Sequence, residues 1–247
     1  MKTIVVTSTA ADAVGYAGKC VASVERERFT LRGVHVVHRF IAADEATAND
    51  ARGRGAYVEA RPVTMIENLL YIWRQLDPHA IVVWLDGDDE LAPGALERVL
   101  AFYERSDVWA TYGSFVTNNK LRDWTYHQHF GRRYLGKPRL EQWRASHLRT
   151  FRAGLVQAVP AEYFEAGGDP VTHAVDCAVM FPVLELAGER YAVSTDINCI
   201  YNISHSAERR DPHGTRELEQ ATLQWLRSMV PLDPLERPNW HHNGGTT

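Results

Sequence analysis

The sequence predicts an α/β fold with a mainly parallel central sheet and helices on both faces. Three observations carry this. Strand-like and helix-like segments alternate through the first half of the 247 residues. The run Ile81-Val82-Val83-Trp84-Leu85 is apolar throughout, as a central strand covered on both faces must be. Thr64 and Glu67 have the spacing of a capping box, and Met65, Leu69, Ile72, Trp73 and Leu76 follow on one helical face.

In chain order, Ile4–Thr7 reads as a short buried strand. Ala17, Cys20, Val21 and Val24 recur at helical spacing, and Gly33 precedes a β-branched strand at Val34–Ile41. Ala42–Gly55 is small and polar and reads as loop. Asp77-Pro78 stops the capped helix. Pro93 opens another helix, with Leu96, Val99, Leu100 and Tyr103 as its stripe. Trp109–Val116 is a further strand.

The second half is less regular. Asn118–Ser146 is polar, aromatic and basic, without a period. Val175–Ala187 reads as a helix kinked at Pro182 and ended by Gly188. Tyr191–Thr195 and Ile197–Tyr201 read as two short strands. Leu218, Ala221, Trp225 and Met229 mark a last helix. With no repeat and no linker, residues 1–238 are expected to form one domain, followed by a loose tail at 239–247.

Composition is that of a globular protein: 45% hydrophobic and 23% charged, with a net charge of −4. That charge argues against a nucleic-acid binder working by bulk electrostatics. No stretch approaches a membrane span, and the N-terminal apolar run is too short for a signal peptide. Cys20, Cys177 and Cys199 have no metal-type spacing. The expectation is a reduced, cytoplasmic protein, with any membrane attachment peripheral and through a partner.

The chemistry concentrates after the apolar strand. Asp86-Gly87-Asp88-Asp89-Glu90 puts four carboxylates within five residues. In open α/β sheets, ligands bind beyond the carboxyl ends of the strands. Gly87 permits a tight turn, and two carboxylates sharing Mg²⁺ or Mn²⁺ is ordinary hard-cation chemistry. The plainer alternative is an acidic turn in which Asp89 and Glu90 favour the N-terminus of the next helix. An EF-hand fails, because its sixth position would be Leu91 instead of Gly. A haloacid-dehalogenase phosphatase fits poorly, because Glu90 stands where that family has Thr or Val. Gly15–Lys19 is too short for a P-loop.

The ordered set of segments resembles the inverting glycosyltransferases of family two, which have the GT-A fold. Trp84–Leu91 with Pro93-Gly94-Ala95-Leu96 looks like that family's metal-binding segment and following helix. Cys20–Val24 and Val34–Ile41 look like its first helix and second strand. His147–Arg152 and Gly167–Asp176 look like its acceptor half, and Tyr201–His205 like its closing strand and histidine. The resemblance implies a nucleotide and metal half at 1–117, an irregular acceptor half at 118–206 and a C-terminal helix at 207–238.

It also implies roles. Asp88 binds Mn²⁺ or Mg²⁺ directly, and Asp86 holds the ribose or the metal shell. His205 is a further metal or diphosphate contact. Asp176 is the general base toward the acceptor hydroxyl. Thr7, Thr9 and Asp44 lie near the nucleotide base. The family's D-D-G-S-like run is replaced here by Ala42–Thr47, where only Asp44 has a counterpart.

The residues themselves add further candidates. Arg149 and Arg152 could clamp diphosphate oxygens, or pair with Glu141. Asn68 could face the nucleotide or point outward. Tyr126–Arg144, rich in His, Arg and aromatics, is an acceptor-side or lid loop, or a solvated excursion. The expected donor is a UDP- or GDP-type sugar, and the acceptor is a glycan or other hydroxyl compound. The alternatives are a non-catalytic nucleotide-sugar binder and a sugar nucleotidyltransferase on a related fold.

Overall fold

The structure is a computed structural model and describes residues 2–117, 134, 137–202 and 214–236. The elements run β1 (Lys2–Ala10), α1 (Ala17–Thr30), β2 (Val34–Ala42), α2 (Glu45–Ala51), β3 (Tyr57–Ala60), α3 (Met65–Trp73), β4 (Ile81–Trp84), β5 (Glu90–Leu91), α4 (Ala95–Arg105) and β6 (Ala110–Thr117). Then follow β7 (Arg149–Arg152), α5 (Ala153–Gln157), β8 (Glu165–Ala166), β9 (Asp169–Pro170), α6 (Val175–Ala187), β10 (Tyr191–Tyr201) and α7 (Gly214–Ser228).

One eight-stranded sheet has the order β3-β2-β1-β4-β7-β6-β10-β5. Strands β3, β2, β1 and β4 are parallel neighbours, and so are β6 and β10. Strand β7 lies antiparallel between the two parallel groups, pairing β4 on one side and β6 on the other. The sheet is therefore mainly parallel, as expected. One core packs α1, α2 and α4 against one face, and the other packs α3, α5, α6 and α7 against the opposite face. Burying both faces is why β4 and β6 carry no exposed residue.

Local chemistry explains several elements. The Thr64–Glu67 capping box is present in both directions and starts α3. Helix α6 runs through Pro182, and the N–H of Gly188, at φ +59°, closes onto the carbonyls of Leu184 and Glu185.

Two expectations change, and two strands are added. The stretch read as loop contains α2, nucleated by Asp44 as N-cap, whose carboxylate accepts from Thr47 N. Strand β3 follows it. The segment carrying Arg149 and Arg152 is a strand. The two short strands near the end are one, β10, with its register shifted between Val193 and Ile197. There Asn198 donates to Ser194 Oγ and accepts from Arg98 Nε, which satisfies polar groups at the irregularity.

Candidate active site

The acidic turn is fixed by the end of β1. Leu85 N donates to Thr7 O, and Gly87 N donates to Thr9 O. A Cβ on Gly87 would stand 2.7 Å from Ala10 Cβ and 2.9 Å from Thr9 O, so only glycine lets the turn lie this close. Asp86 and Asp88 are half-buried, and Asp89 is fully buried. Asp89 accepts from Asn202 N at 2.8 Å and from the Cys199 thiol at 3.7 Å. It therefore does not serve the helix α4 N-terminus. That role belongs to Glu27 of α1, a buried carboxylate that accepts from Gly94 N and Leu96 N.

Arg149 draws the site together. It faces Trp84 in the β4–β7 register, at the carboxyl end of β4. Its Nη1 lies 3.8 Å from Asp86 Oδ2, and its Nη2 donates to Asp176 Oδ2 at 3.4 Å. Nε donates to Ala145 O, and the guanidinium lies over the Trp84 ring at 4.7 Å. Asp176 sits in the first turn of α6, its side chain about a third exposed, with Oδ1 accepting from Cys177 N. One buried arginine thus links the acidic turn after β4 to a carboxylate at the start of α6.

The electrostatics follow from crowding. Burial raises Asp86 to about 6, opposed by Arg149 and assisted by the charges of Asp88 and Asp176. Burial, with Asp86 and Asp88 nearby, raises Asp89 as well. His147 stands two residues before Arg149, just ahead of β7. It is buried, with Nδ1 3.8 Å from both Asp86 Oδ2 and Asp89 Oδ2. Burial, and then Arg149, lowers its pKa, so its ring is neutral. Sequence reasoning gave His147 no role. No local signal marks it, because Asp86 and Asp89, which it faces, come from a distant segment.

The other predicted residues divide. Thr7 is fully buried, and its Oγ1 accepts from the Trp73 indole at 3.0 Å, a packing contact beneath the site. Thr9 lies at the end of β1 beside Gly87, its Oγ1 buried without a hydrogen bond among the described residues. Both Asp44 oxygens are engaged, by Thr47 N and Asp12 N. These bonds lower its pKa. Asn68 does not point outward. It is buried, and its Nδ2 lies within hydrogen-bonding distance of the carbonyls of Arg61 and Val63. Arg152 is a correction: it faces Ile81 at the opposite end of β4 and donates to His79 O, so it cannot share a clamp with Arg149. Neither arginine pairs with Glu141, whose carboxylate lies 3.9 Å from Arg144.

His205 and residues 126–133 of the proposed lid lie outside the described residues. Within that stretch Tyr134 is packing: it is buried, and its hydroxyl accepts from Arg144 N and Ala145 N. Trp143 is half-buried against Phe181. Gly15 N and Gly18 N both donate to Asp50 Oδ2, so a carboxylate occupies the place a phosphate would take in a P-loop.

Residues 68–160, which include the acidic turn and Arg149, match the Glycosyl transferase family 2 model. This segment is similar to glycosyl transferase family 2. The chain's GT-A fold is shared with solved structures. It is similar to mannosyl-3-phosphoglycerate synthase from Rubrobacter xylanophilus, with TM-score 0.63 and 17% identity over 96% of this chain and 78% of that one. It is similar to S. aureus TarS 1-349 in complex with UDP-GlcNAc, with TM-score 0.60 and 11% identity over 92% and 66%. For glucosyl-3-phosphoglycerate synthase from Mycobacterium tuberculosis in complex with phosphoglyceric acid, the TM-score is 0.59, with 15% identity over 93% and 81%. The chain spans 60% of the length of one TarS 1-349 structure and 37% of a longer TarS chain. No curated protein sequence matches it. Among the described residues, no helix is long and apolar enough to cross a membrane.

Proposed function

We propose that this chain transfers a sugar from a nucleotide diphosphate to an acceptor hydroxyl, with inversion at the anomeric carbon. The observation that supports it best is the bridge from Asp86 through Arg149 to Asp176. It puts a carboxylate pair suited to a hard cation on one side of a charged arginine and a solvent-reachable carboxylate on the other.

Mg²⁺ or Mn²⁺ fits the first side. The donors are carboxylate oxygens on a turn beyond a parallel strand, and burial, assisted by Asp88 and Asp176, raises Asp86, which a cation would compensate. Asp86 and Asp88 would hold the ion, with His205 as a further candidate. When bound, the ion supplies positive charge where the departing diphosphate becomes more negative. Thr9, Asn68 and Asp44 lie on the flanking elements and are the candidates to line the nucleotide, of UDP or GDP type.

Asp176 would accept the proton of the acceptor hydroxyl as that oxygen attacks the anomeric carbon from the face opposite the diphosphate. One base on that face suffices, and no protein nucleophile is needed. Arg149 fixes the position of Asp176 and balances the carboxylates on either side. The acceptor is taken to be a glycan or another hydroxyl compound.

The test is Asp176→Asn, which keeps size and removes the base. Turnover of a sugar nucleotide should fall about 10²–10⁴-fold, while the dissociation constant for the nucleotide diphosphate stays within about twofold. Unchanged turnover would remove Asp176 from the role. Nucleotide binding without any transfer in the unsubstituted chain would favour a non-catalytic binder.

A further inference from the structure

Beneath the acidic turn, Asp89, His147 and Cys199 turn their side chains toward one another. One ligand atom from each lies within 4.8 Å of the others, and all three residues are buried. We propose that these three residues form a second metal site, distinct from the hard-cation position at Asp86 and Asp88, and that it takes zinc.

The distances support it. Asp89 Oδ2 lies 3.7 Å from Cys199 Sγ and 3.8 Å from His147 Nδ1. A tetrahedral zinc with bonds of about 2.0–2.3 Å needs ligand atoms roughly 3.3–3.8 Å apart. Two edges of a zinc tetrahedron, both from Asp89, therefore already stand close to length, and His147 and Cys199 lie within 4.8 Å of each other.

The hydrogen bonding points the same way. His147 Nδ1 is buried and has no hydrogen-bond partner among the described residues. It faces two carboxylates at 3.8 Å, too far for a hydrogen bond and suitable for a shared ion. Its ring is held by the Tyr201 ring at 5.3 Å and by Phe115 edge-on at 5.4 Å, so Nδ1 keeps its aim. Asp89 is oriented by Asn202 N, which leaves Oδ2 toward Cys199 and His147.

The donor set decides the metal class. Thiolate, imidazole and carboxylate together suit a borderline-soft ion such as Zn²⁺ better than Mg²⁺ or Mn²⁺. On binding, Zn–S, Zn–N and Zn–O bonds form, the thiol S–H bond breaks and its proton leaves to solvent. No electron is transferred. The ion's charge would offset part of the repulsion among Asp86, Asp88 and Asp89. The inference does not depend on the transferase reading.

The experiment uses the whole chain, stripped with chelator and titrated with Co²⁺ alone as a spectroscopic stand-in for Zn²⁺. The expected result is about one tightly held cobalt with a thiolate-to-cobalt charge-transfer band. Cys199→Ser should abolish the band, and His147→Ala should weaken cobalt binding at least about tenfold. Asp88→Asn should leave the band intact, which separates this site from the donor site. No band in the wild-type chain overturns the proposal, and so does a band that survives Cys199→Ser. Where circular dichroism shows Cys199→Ser unfolded, X-ray absorption of the zinc-loaded wild type decides. One sulfur at about 2.3 Å is expected, and a shell of nitrogen and oxygen alone overturns it.

Discussion

Arg149 holds Asp86 and Asp176 at opposite ends of one guanidinium, and the burial around them sets how each responds to pH. Asp86 is moved from an ordinary 3.8 to about 6, first by burial. A carboxyl raised in the folded state contributes stability below about pH 4 that is lost as pH rises through about 6. With metal removed by chelator, Asp86→Asn should therefore gain stability over wild type as pH rises across that window. The gain is on the order of 3 kcal/mol, from about 1.4 kcal/mol per unit. Denaturant midpoints at several pH values check this. Parallel curves for the two proteins would contradict the burial argument. Asp44 behaves oppositely. Its hydrogen bonds lower its pKa, so its contribution is lost only as pH falls through that lowered value.

At the scale of elements, helix α2 organises the end of the sheet that bears the site. Asp44 accepts from Asp12 N, Thr47 Oγ1 accepts from Ala13 N, and Asp50 accepts from Gly15 N and Gly18 N. Three side chains of one short segment thus fix the loop between β1 and α1. Asp44→Ala removes an N-cap and a loop anchor together and should cost about 1–2 kcal/mol, read by chemical denaturation. A loss below about 0.3 kcal/mol would show that the cap contributes nothing.

This helix was the least legible part of the sequence. It has seven residues and buries only Thr47, Ala48 and Ala51, so it carries no apolar stripe to read. By contrast α3 and β4 were legible because their signals are local: a reciprocal cap, and a run buried on both faces. Strand β7 was not, because Arg-Thr-Phe-Arg gains its strand character only by lying between β4 and β6. That pairing also separated Arg149 from Arg152, which look equivalent in sequence. His147 and Cys199 were opaque for the same reason, since their neighbours come from distant segments. The acidic turn was legible because its density of charge directly follows a buried strand.

Across the whole molecule, a buried ion pair ties the C-terminal helix to the site-bearing core. Arg139 Nε and Nη2 donate to Glu185 on α6, and Nη1 donates to Leu226 O on α7. Glu185 also accepts from Leu232 N beyond that helix. Glu185→Leu leaves Arg139 buried without its partner and should cost about 3–5 kcal/mol, with protease sensitivity appearing first around residues 214–236. A loss below about 1 kcal/mol would mean that α7 docks by apolar contacts alone. The docking bears on the proposed function because α6 also carries Asp176, the proposed base. The central claim is that the turn after β4 binds a nucleotide diphosphate through a divalent cation. Calorimetric titration with UDP and GDP, with and without Mn²⁺, tests it in the wild type and in Asp88→Asn. The account predicts binding of one nucleotide that requires Mn²⁺ and is lost in Asp88→Asn. Absence of binding by either nucleotide, or equal binding in Asp88→Asn, would contradict it.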